Sequence, residues 1–278
     1  MNDLTKEEIL NHLKLDEQLD ERLKEKLEEQ KIQRFQVQVF DTIESTHLYA
    51  KELVNNQPDF TGVIIANEQT AGIGRYGKPF HSPGPDEKNK ARGIYMNFVL
   101  PNFPVAMTHV TMYVAVCYVR AIQKTTGRSA DIKWVNDLFL NGYKFVGILT
   151  EILHVKGDPV TVVGVGLNFY HEQAQIPQEL KGVMTALYVD TPPPITRSQL
   201  VAALINEVMT KRHMTETAIL QAYKDHLFVL GQQVVLVNGE VKQTVTAIDL
   251  DDMGYLIVED ETGQKRTLVA GEVSVRPI

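Results

Sequence analysis

The sequence predicts an α+β fold, a central mixed sheet flanked by helices with a small β-barrel behind it, and three observations carry that prediction. Apolar runs of strand length alternate with helical patterns through most of the chain. From Gln232 onward the texture changes to short alternating runs separated by turn residues. With 278 residues, 44% of them hydrophobic, the chain is long enough for one large domain and one small one. The expected division is an N-terminal charged helix over 1–34, a main domain over 35–230 and a C-terminal domain over 231–278.

Residues 4–30 read as one charged helix, with Thr5 and Glu8 in capping-box spacing and Leu15, Leu19, Leu23 and Leu27 four apart. That stripe suits a helix laid on the main domain, with a helical dimer contact as the other reading. Arg34 to Phe40 alternates as a strand, and Ser45 to Val54 reads as a helix opened by hydroxyls. Gly62 to Ala66 is a buried strand and Gly93 to Leu100 another. Thr108 to Thr126 forms a long helix with Val110, Val114, Cys117, Tyr118 and Ala121 inward. Strands follow at 131–135, 143–154 and 159–168, with Asn141-Gly142 as a hairpin turn, then helices at about 196–213 and 215–229. The barrel strands are Val234–Val237, Val241–Ile248, Tyr255–Val258, Lys265–Val269 and Val273–Val275.

Composition narrows the chemistry. A net charge of −7 argues against a protein that lives on nucleic acid, which needs a basic face. The single cysteine, Cys117, rules out a disulfide framework or a cysteine metal site within the chain. The absence of a signal-peptide pattern and of any apolar run near membrane length makes a cytoplasmic protein with no membrane partner the expectation. The eight histidines are scattered, and H-E-x-x-H does not occur.

The most suggestive stretch is Asn67 to Phe80, where Gly72, Gly74 and Gly77 surround Arg75 and Lys78. Glycine lets backbone approach a bound group and the cations attract an anion, so the loop suits a phosphate, although a solvated surface loop has the same residue types. Gly72 to Gly77 also fits G-x-G-x-x-G, and Gly72 to Lys78 fits the start of a P-loop. Both motifs need a helix directly behind them, and Pro79, Pro83 and Pro85 prevent one. Asn136-Asp137, taken alone, reads as a turn more readily than a site, and Ser45 and Thr46 read equally as N-caps or substrate contacts.

Taken with Lys133-Trp134-Val135-Asn136-Asp137, the loop resembles that of the biotin protein ligases, whose patterns are G-R-G-R-x-G-R and K-W-P-N-D. Lys144 with Gly147-Ile148-Leu149 is similar to their R-K-x-x-G-I-L, Gly164-Val165-Gly166-Leu167-Asn168 to their G-x-G-x-N, and Gly271 to Arg276 to the end of their C-terminal domain. The five blocks stand in the family's order between residues 41 and 276. Ile73, Lys78 and Val135 depart from the pattern, His47 stands where the family's S-T-N has asparagine, and the segment between Ser82 and Gly93 is long and charged.

The resemblance implies a biotin/lipoate ligase-like catalytic domain and an SH3-like C-terminal domain. It implies an ATP-dependent ligase that forms biotinyl-AMP and transfers biotin to a lysine of a biotin carboxyl carrier protein of the acetyl-CoA carboxylase type. Lipoate or octanoate attachment and non-catalytic biotin binding are the alternatives. ATP and Mg2+ are the implied cofactors, with no dedicated protein metal site. Ser45, Thr46 and His47 are implied at the ureido ring, and Gln69, Gly72, Gly74, Arg75, Tyr76, Gly77, Lys78, Phe80, Gly147, Gly164 and Gly166 along the substrate. Lys133, Asn136, Asp137, Asn168 and Arg276 are implied on the nucleotide side, and Lys144, Arg75, Lys133 and Asp137 in catalysis. Asp137 either holds magnesium or orients the acceptor amine. A homodimer is possible by the same resemblance. Many family members carry an N-terminal winged-helix DNA-binding domain; 34 residues with an acidic helix are too few for one, so no DNA binding is expected.

Overall fold

The computed structural model describes residues 3–14, 35–84, 93–103, 107–238, 240–269 and 274–277. The main region runs α1 (Lys6–His12), β1 (Gln36–Ile43), α2 (Thr46–Asn56), β2 (Gly62–Gln69), β3 (Gly93–Pro101), α3 (Met107–Thr126), β4 (Asp131–Lys133), β5 (Asp137–Leu140), β6 (Tyr143–Val155) and β7 (Asp158–Asn168). It continues with β8 (Tyr170–His171), β9 (Tyr188–Val189), α4 (Arg197–Thr210) and α5 (Glu216–Lys224). The C-terminal strands are β10 (Gln233–Asn238), β11 (Val241–Leu250), β12 (Leu256–Glu259), β13 (Lys265–Leu268) and β14 (Ser274–Pro277).

Seven strands form one mixed sheet in the order β1-β2-β3-β7-β6-β5-β4, parallel only between β1 and β2. Asn141-Gly142 makes the expected turn with φ of 52° and 82°, and Lys156-Gly157 makes a second with 53° and 98°. Positive φ at both central residues matches the twist of the paired strands, which is why glycine stands second in each. One sheet face presents Ile94, Met96, Phe98, Val163, Val165 and Leu167 to the core built with α3 and α4. On the other face α2 sets Ala50 and Val54 against Ile64, Val99 and Val162.

Beyond α2 that second face is nearly bare. Register places Tyr95 opposite Gly166, Gly166 opposite Gly147, Gly147 opposite Asp137 and Asp137 opposite Lys133. One cross-strand row therefore carries two glycines and then two charged residues.

The expected small domain is the antiparallel five-stranded sheet β13-β12-β11-β10-β14, an SH3-like unit. Its core residues Val234, Val245, Leu256 and Val258 join the main core, and the buried Trp134 donates its indole N–H to the Gly254 carbonyl at 3.0 Å. A side chain on Gly254, whose φ is 79°, would collide with Met112.

Three expectations are corrected. The helix expected over 4–30 ends at His12, because the chain then ties itself to α4: Lys14 N–H donates to Asn206 Oδ1 and Asn206 Nδ2 to the His12 carbonyl. Leu15, Leu19, Leu23 and Leu27 lie outside the described residues. Thr5 caps α1 by accepting from Glu8 N–H, but the Glu8 carboxylate accepts from Thr196 Oγ1 at 2.7 Å, so the capping box is half formed. The last helix stops at Lys224, because residues 226–228 pair instead with Ile132 of β4. The strand expected over 131–135 stops at Lys133; a turn containing a cis Trp134–Val135 peptide follows, and Asp137 opens β5.

Candidate functional site

Over the bare row lies a cavity of about 370 Å³. Glycine is required on its floor: a Cβ on Gly166 would collide with the Phe80 ring, and one on Gly147 would meet Phe80 at 3.3 Å and Lys144 Nζ at 3.2 Å. The glycines thus let an aromatic ring and a lysine lie against backbone.

The loop after β2 forms the roof. Phe80 N–H donates to the Gly72 carbonyl at 2.8 Å and Gly74 N–H to the Lys78 carbonyl at 2.7 Å, closing a tip at Arg75–Gly77. Tyr76 and Gly77 take φ of 58° and 69° there. From this tip Arg75 donates to Asn136 Oδ1 and to the Tyr76 hydroxyl, each at 2.9 Å. Asn136 is itself held by β6: its Nδ2 donates to the Ile148 carbonyl and its backbone carbonyl accepts from the Ile148 N–H, both at 2.9 Å. The loop therefore rests on the Lys133–Asp137 segment through one guanidinium.

Cations gather at the β4–β5 end. Lys144 and Gly147 are three residues apart and would face opposite ways in a regular strand. A bulge against β5 inserts Phe145, so that Leu138 pairs with Val146 and Phe139 with Lys144, which returns Lys144 to the site face. Its Nζ pairs with Asp137 Oδ1 at 2.7 Å. Lys133 Nζ lies 5.5 Å from the centre of the Phe139 ring. The buried Tyr223 hydroxyl donates to the Val135 carbonyl at 3.0 Å, and burial, then the Asp137 charge, push its pKa well above the usual value.

The other end is polar and mostly uncharged. Thr46 donates through its N–H and hydroxyl to Gln69 Oε1, and Gln69 Nε2 donates to Ser82 Oγ at 2.9 Å. Asn97 Nδ2 donates to Thr46 Oγ1 at 2.8 Å, and Asn97 Oδ1 lies 3.0 Å from His47 Nδ1. Behind His47, Glu151 stands 3.4 Å from Nε2 and 2.6 Å from Lys51 Nζ. Burial raises the Glu151 carboxyl, but Lys51 and the charge on His47 outweigh it and hold the pKa below the usual carboxylate range.

Of the residues expected in the site, Thr46, His47, Gln69, Gly74, Arg75, Tyr76, Lys78, Phe80, Lys133, Asn136, Asp137, Lys144, Gly147, Gly164 and Gly166 line the cavity. Ser45 does not; its hydroxyl caps α2 by accepting from Leu48 N–H. Gly72 packs under Phe80 and Ser82, and Gly77 supplies the left-handed tip. Asn168 donates to the Thr185 carbonyl at 3.1 Å, away from the cavity lining, and Arg276 lies on β14 opposite Val235. Asn97 also lines the cavity without belonging to any of the expected motifs; a lone asparagine within Gly93–Pro101 is its visible signal in the sequence. Among the described residues no group of three or more His, Cys, Asp or Glu is placed to hold a metal, and Asp137 is the one carboxylate in the cavity lining.

The model of the biotin/lipoate A/B protein ligase family matches residues 39–168, and that of the biotin protein ligase C terminal domain matches residues 229–276. The bifunctional ligase/repressor BirA of Bacillus spizizenii is 32% identical over 236 residues, covering 81% of this chain and 70% of that protein. The biotin--[acetyl-CoA-carboxylase] ligase of Mycobacterium tuberculosis is 26% identical over 220 residues, covering 77% of this chain and 79% of that protein. In fold the chain is similar to the biotin protein ligase from Aquifex aeolicus solved in complex with biotin and ATP, with a TM-score of 0.69 at 23% identity, covering 87% of this chain and 99% of that one.

Proposed function

Since this chain belongs to the biotin/lipoate A/B protein ligase family, we propose that its cavity joins biotin to a lysine of a biotin carboxyl carrier domain, with ATP as the activating substrate. One observation carries the assignment of ends. The polar cluster sits at β3, and Asp137, paired with Lys144 of the neighbouring β6, sits at β5, three strand spacings away, with the glycines between them. At about 4.8 Å per strand that is about 14 Å, a length suited to a polar head, an alkyl chain and a carboxylate tail.

In the first step a biotin carboxylate oxygen attacks the α-phosphorus, the bond to the β-phosphate oxygen breaks, and pyrophosphate leaves with the electron pair. Both reactants are anions. Lys144, Lys133 and Arg75 offset their repulsion and hold them in line, with loop amides as further donors. Lys144 exchanges Asp137 for the acyl-phosphate oxygens when substrate arrives, which leaves the Asp137 carboxylate facing the cavity. In the second step the acceptor amine attacks the anhydride carbonyl carbon, the bond to the phosphate oxygen breaks and AMP leaves. Asp137 takes up the amine proton. Magnesium would neutralise charge on the nucleotide phosphates in the first step; with one carboxylate in the lining, Asp137 would be its protein contact there, before the acceptor amine arrives.

The roof excludes water from the anhydride between the two steps. Its link to the Lys133–Asp137 segment is Arg75, so Arg75→Gly is expected to shorten the lifetime of bound biotinyl-AMP by about tenfold or more. Chromatography of the quenched complex over time measures it; an unchanged half-life would remove Arg75 from that role. In wild type, biotin with ATP should also protect residues 70–80 from protease, and equal cleavage with and without them would count against closure. The deciding experiment is pyrophosphate release with biotin, lipoate and octanoate in parallel, followed by transfer of labelled biotin to a carrier domain. Release driven by lipoate or octanoate in place of biotin would move the substrate assignment.

A further inference from the structure

Asn97 is a lone polar side chain on an apolar strand and is 2% exposed. A buried amide costs stability unless it is paired, so its partners describe its task. Register sets it between Ile64 and Gly164, and a Cβ on Gly164 would lie 3.1 Å from its Oδ1. The amide therefore covers bare backbone at the cavity wall.

The direction of every hydrogen bond around it is set from the roof loop. Ser82 Oγ donates to the Phe80 carbonyl at 3.0 Å, so it accepts from Gln69 Nε2. Gln69 Oε1 then takes both Thr46 donors, at 2.8 and 2.9 Å. With its proton so used, the Thr46 oxygen accepts from Asn97 Nδ2, which turns Asn97 Oδ1 toward His47 and assigns a proton to His47 Nδ1. Glu151, held by Lys51, backs the other ring nitrogen. An amide has two N–H groups and two carbonyl lone pairs, and Asn97 gives one of each to Thr46 and His47. One N–H and one lone pair remain, the complement of the C=O and N–H of a ring urea.

We infer that Asn97 is a specificity-determining residue for the ureido head of the substrate and that His47 is its positioning residue, an inference that rests on the ligase reading above. An acid of similar length without a urea leaves these buried groups unpaired and is rejected for that reason. The amide does not touch the reacting atoms, so its effect falls on binding of one substrate only.

The test measures kcat and the KM for biotin and for ATP by pyrophosphate release in wild type, Asn97→Leu and His47→Leu, with melting temperatures alongside. Asn97→Leu is expected to raise the biotin KM by about tenfold or more, with the ATP KM and kcat within about twofold. His47→Leu leaves the amide present but unanchored and should raise the biotin KM about threefold or more, again without moving the ATP KM. If Asn97→Leu does not fold, His47→Leu decides by that criterion. A biotin KM unchanged in the folded variants, or a rise shared equally by ATP, overturns the inference while the ligase reading stands. Silence of the wild-type protein toward biotin would instead be the failure of the ligase reading.

Discussion

Lys144→Ala is expected to lower biotin-dependent pyrophosphate release by about 10²- to 10³-fold, the usual cost of deleting one donor aimed at developing charge. The expectation rests on aim as well as charge. A β-bulge spends one residue, Phe145, to bring Lys144 onto the face of Gly147 and Asp137, and the glycine floor leaves the space its side chain crosses. The same change should hardly affect folding. The side chains of the ion pair with Asp137 are 32% and 20% exposed, but the pair faces the cavity, so the carboxylate left by the change is open to water and the loss is about 1 kcal/mol. Melting within about 3 °C of wild type is therefore expected alongside the kinetic loss. Lys144→Arg separates charge from geometry: it keeps the cation but brings a planar fork to a site shaped for a point charge, and should recover only part of the rate. Pyrophosphate release by Lys144→Ala at the wild-type rate would withdraw Lys144 from the chemistry and move the burden to Lys133 and Arg75.

The sequence made the strands and the glycine loop readable because both are written locally. Alternation in Gln36–Phe40, the apolar run of Gly62–Ala66, the Asn141-Gly142 turn and the short barrel strands each depend on residues within one element. What stayed hidden depends on register and on partners far along the chain. Asn97 belongs to the site only because β3 pairs with β7 so that it faces Gly164, and because Thr46 and His47 reach it from α2. Ser45 and Asn168 illustrate the converse: their motifs are present, yet in this structure the first is used to cap a helix and the second to hold the Thr185 carbonyl. The break at His12 in the helix expected over 4–30 has a related reason. Periodicity measures a helix against solvent and cannot see Asn206 pulling the chain at His12 and Lys14 away from the helical path.

The N-terminal segment also carries the largest expected effect on stability. Arg197 is 1% exposed, and its Nε donates to Asp3 Oδ1 at 2.7 Å, while Nη1 donates to the Gly93 carbonyl at 3.0 Å at the start of β3. The second Asp3 oxygen accepts the Arg197 backbone N–H at 3.1 Å, so the same carboxylate also serves the first turn of α4. Asp3→Ala removes both contacts at once. Taking one partner from a buried pair costs about 3 to 5 kcal/mol, and the 26% exposure of the Asp3 side chain argues for the lower figure. A loss of about 3 kcal/mol lowers Tm by about 6 to 12 °C in a domain of this size. Asp3→Asn should be milder, since its amide oxygen still accepts one of the two donors. The double variant Asp3→Ala with Arg197→Met should be more stable than Asp3→Ala alone, because the buried charge leaves with its partner. A Tm for Asp3→Ala within about 2 °C of wild type would mean that residues 3–14 do not fasten the sheet through Arg197. Agreement would mean that twelve residues ahead of the main domain fix the start of the strand on which Asn97 stands.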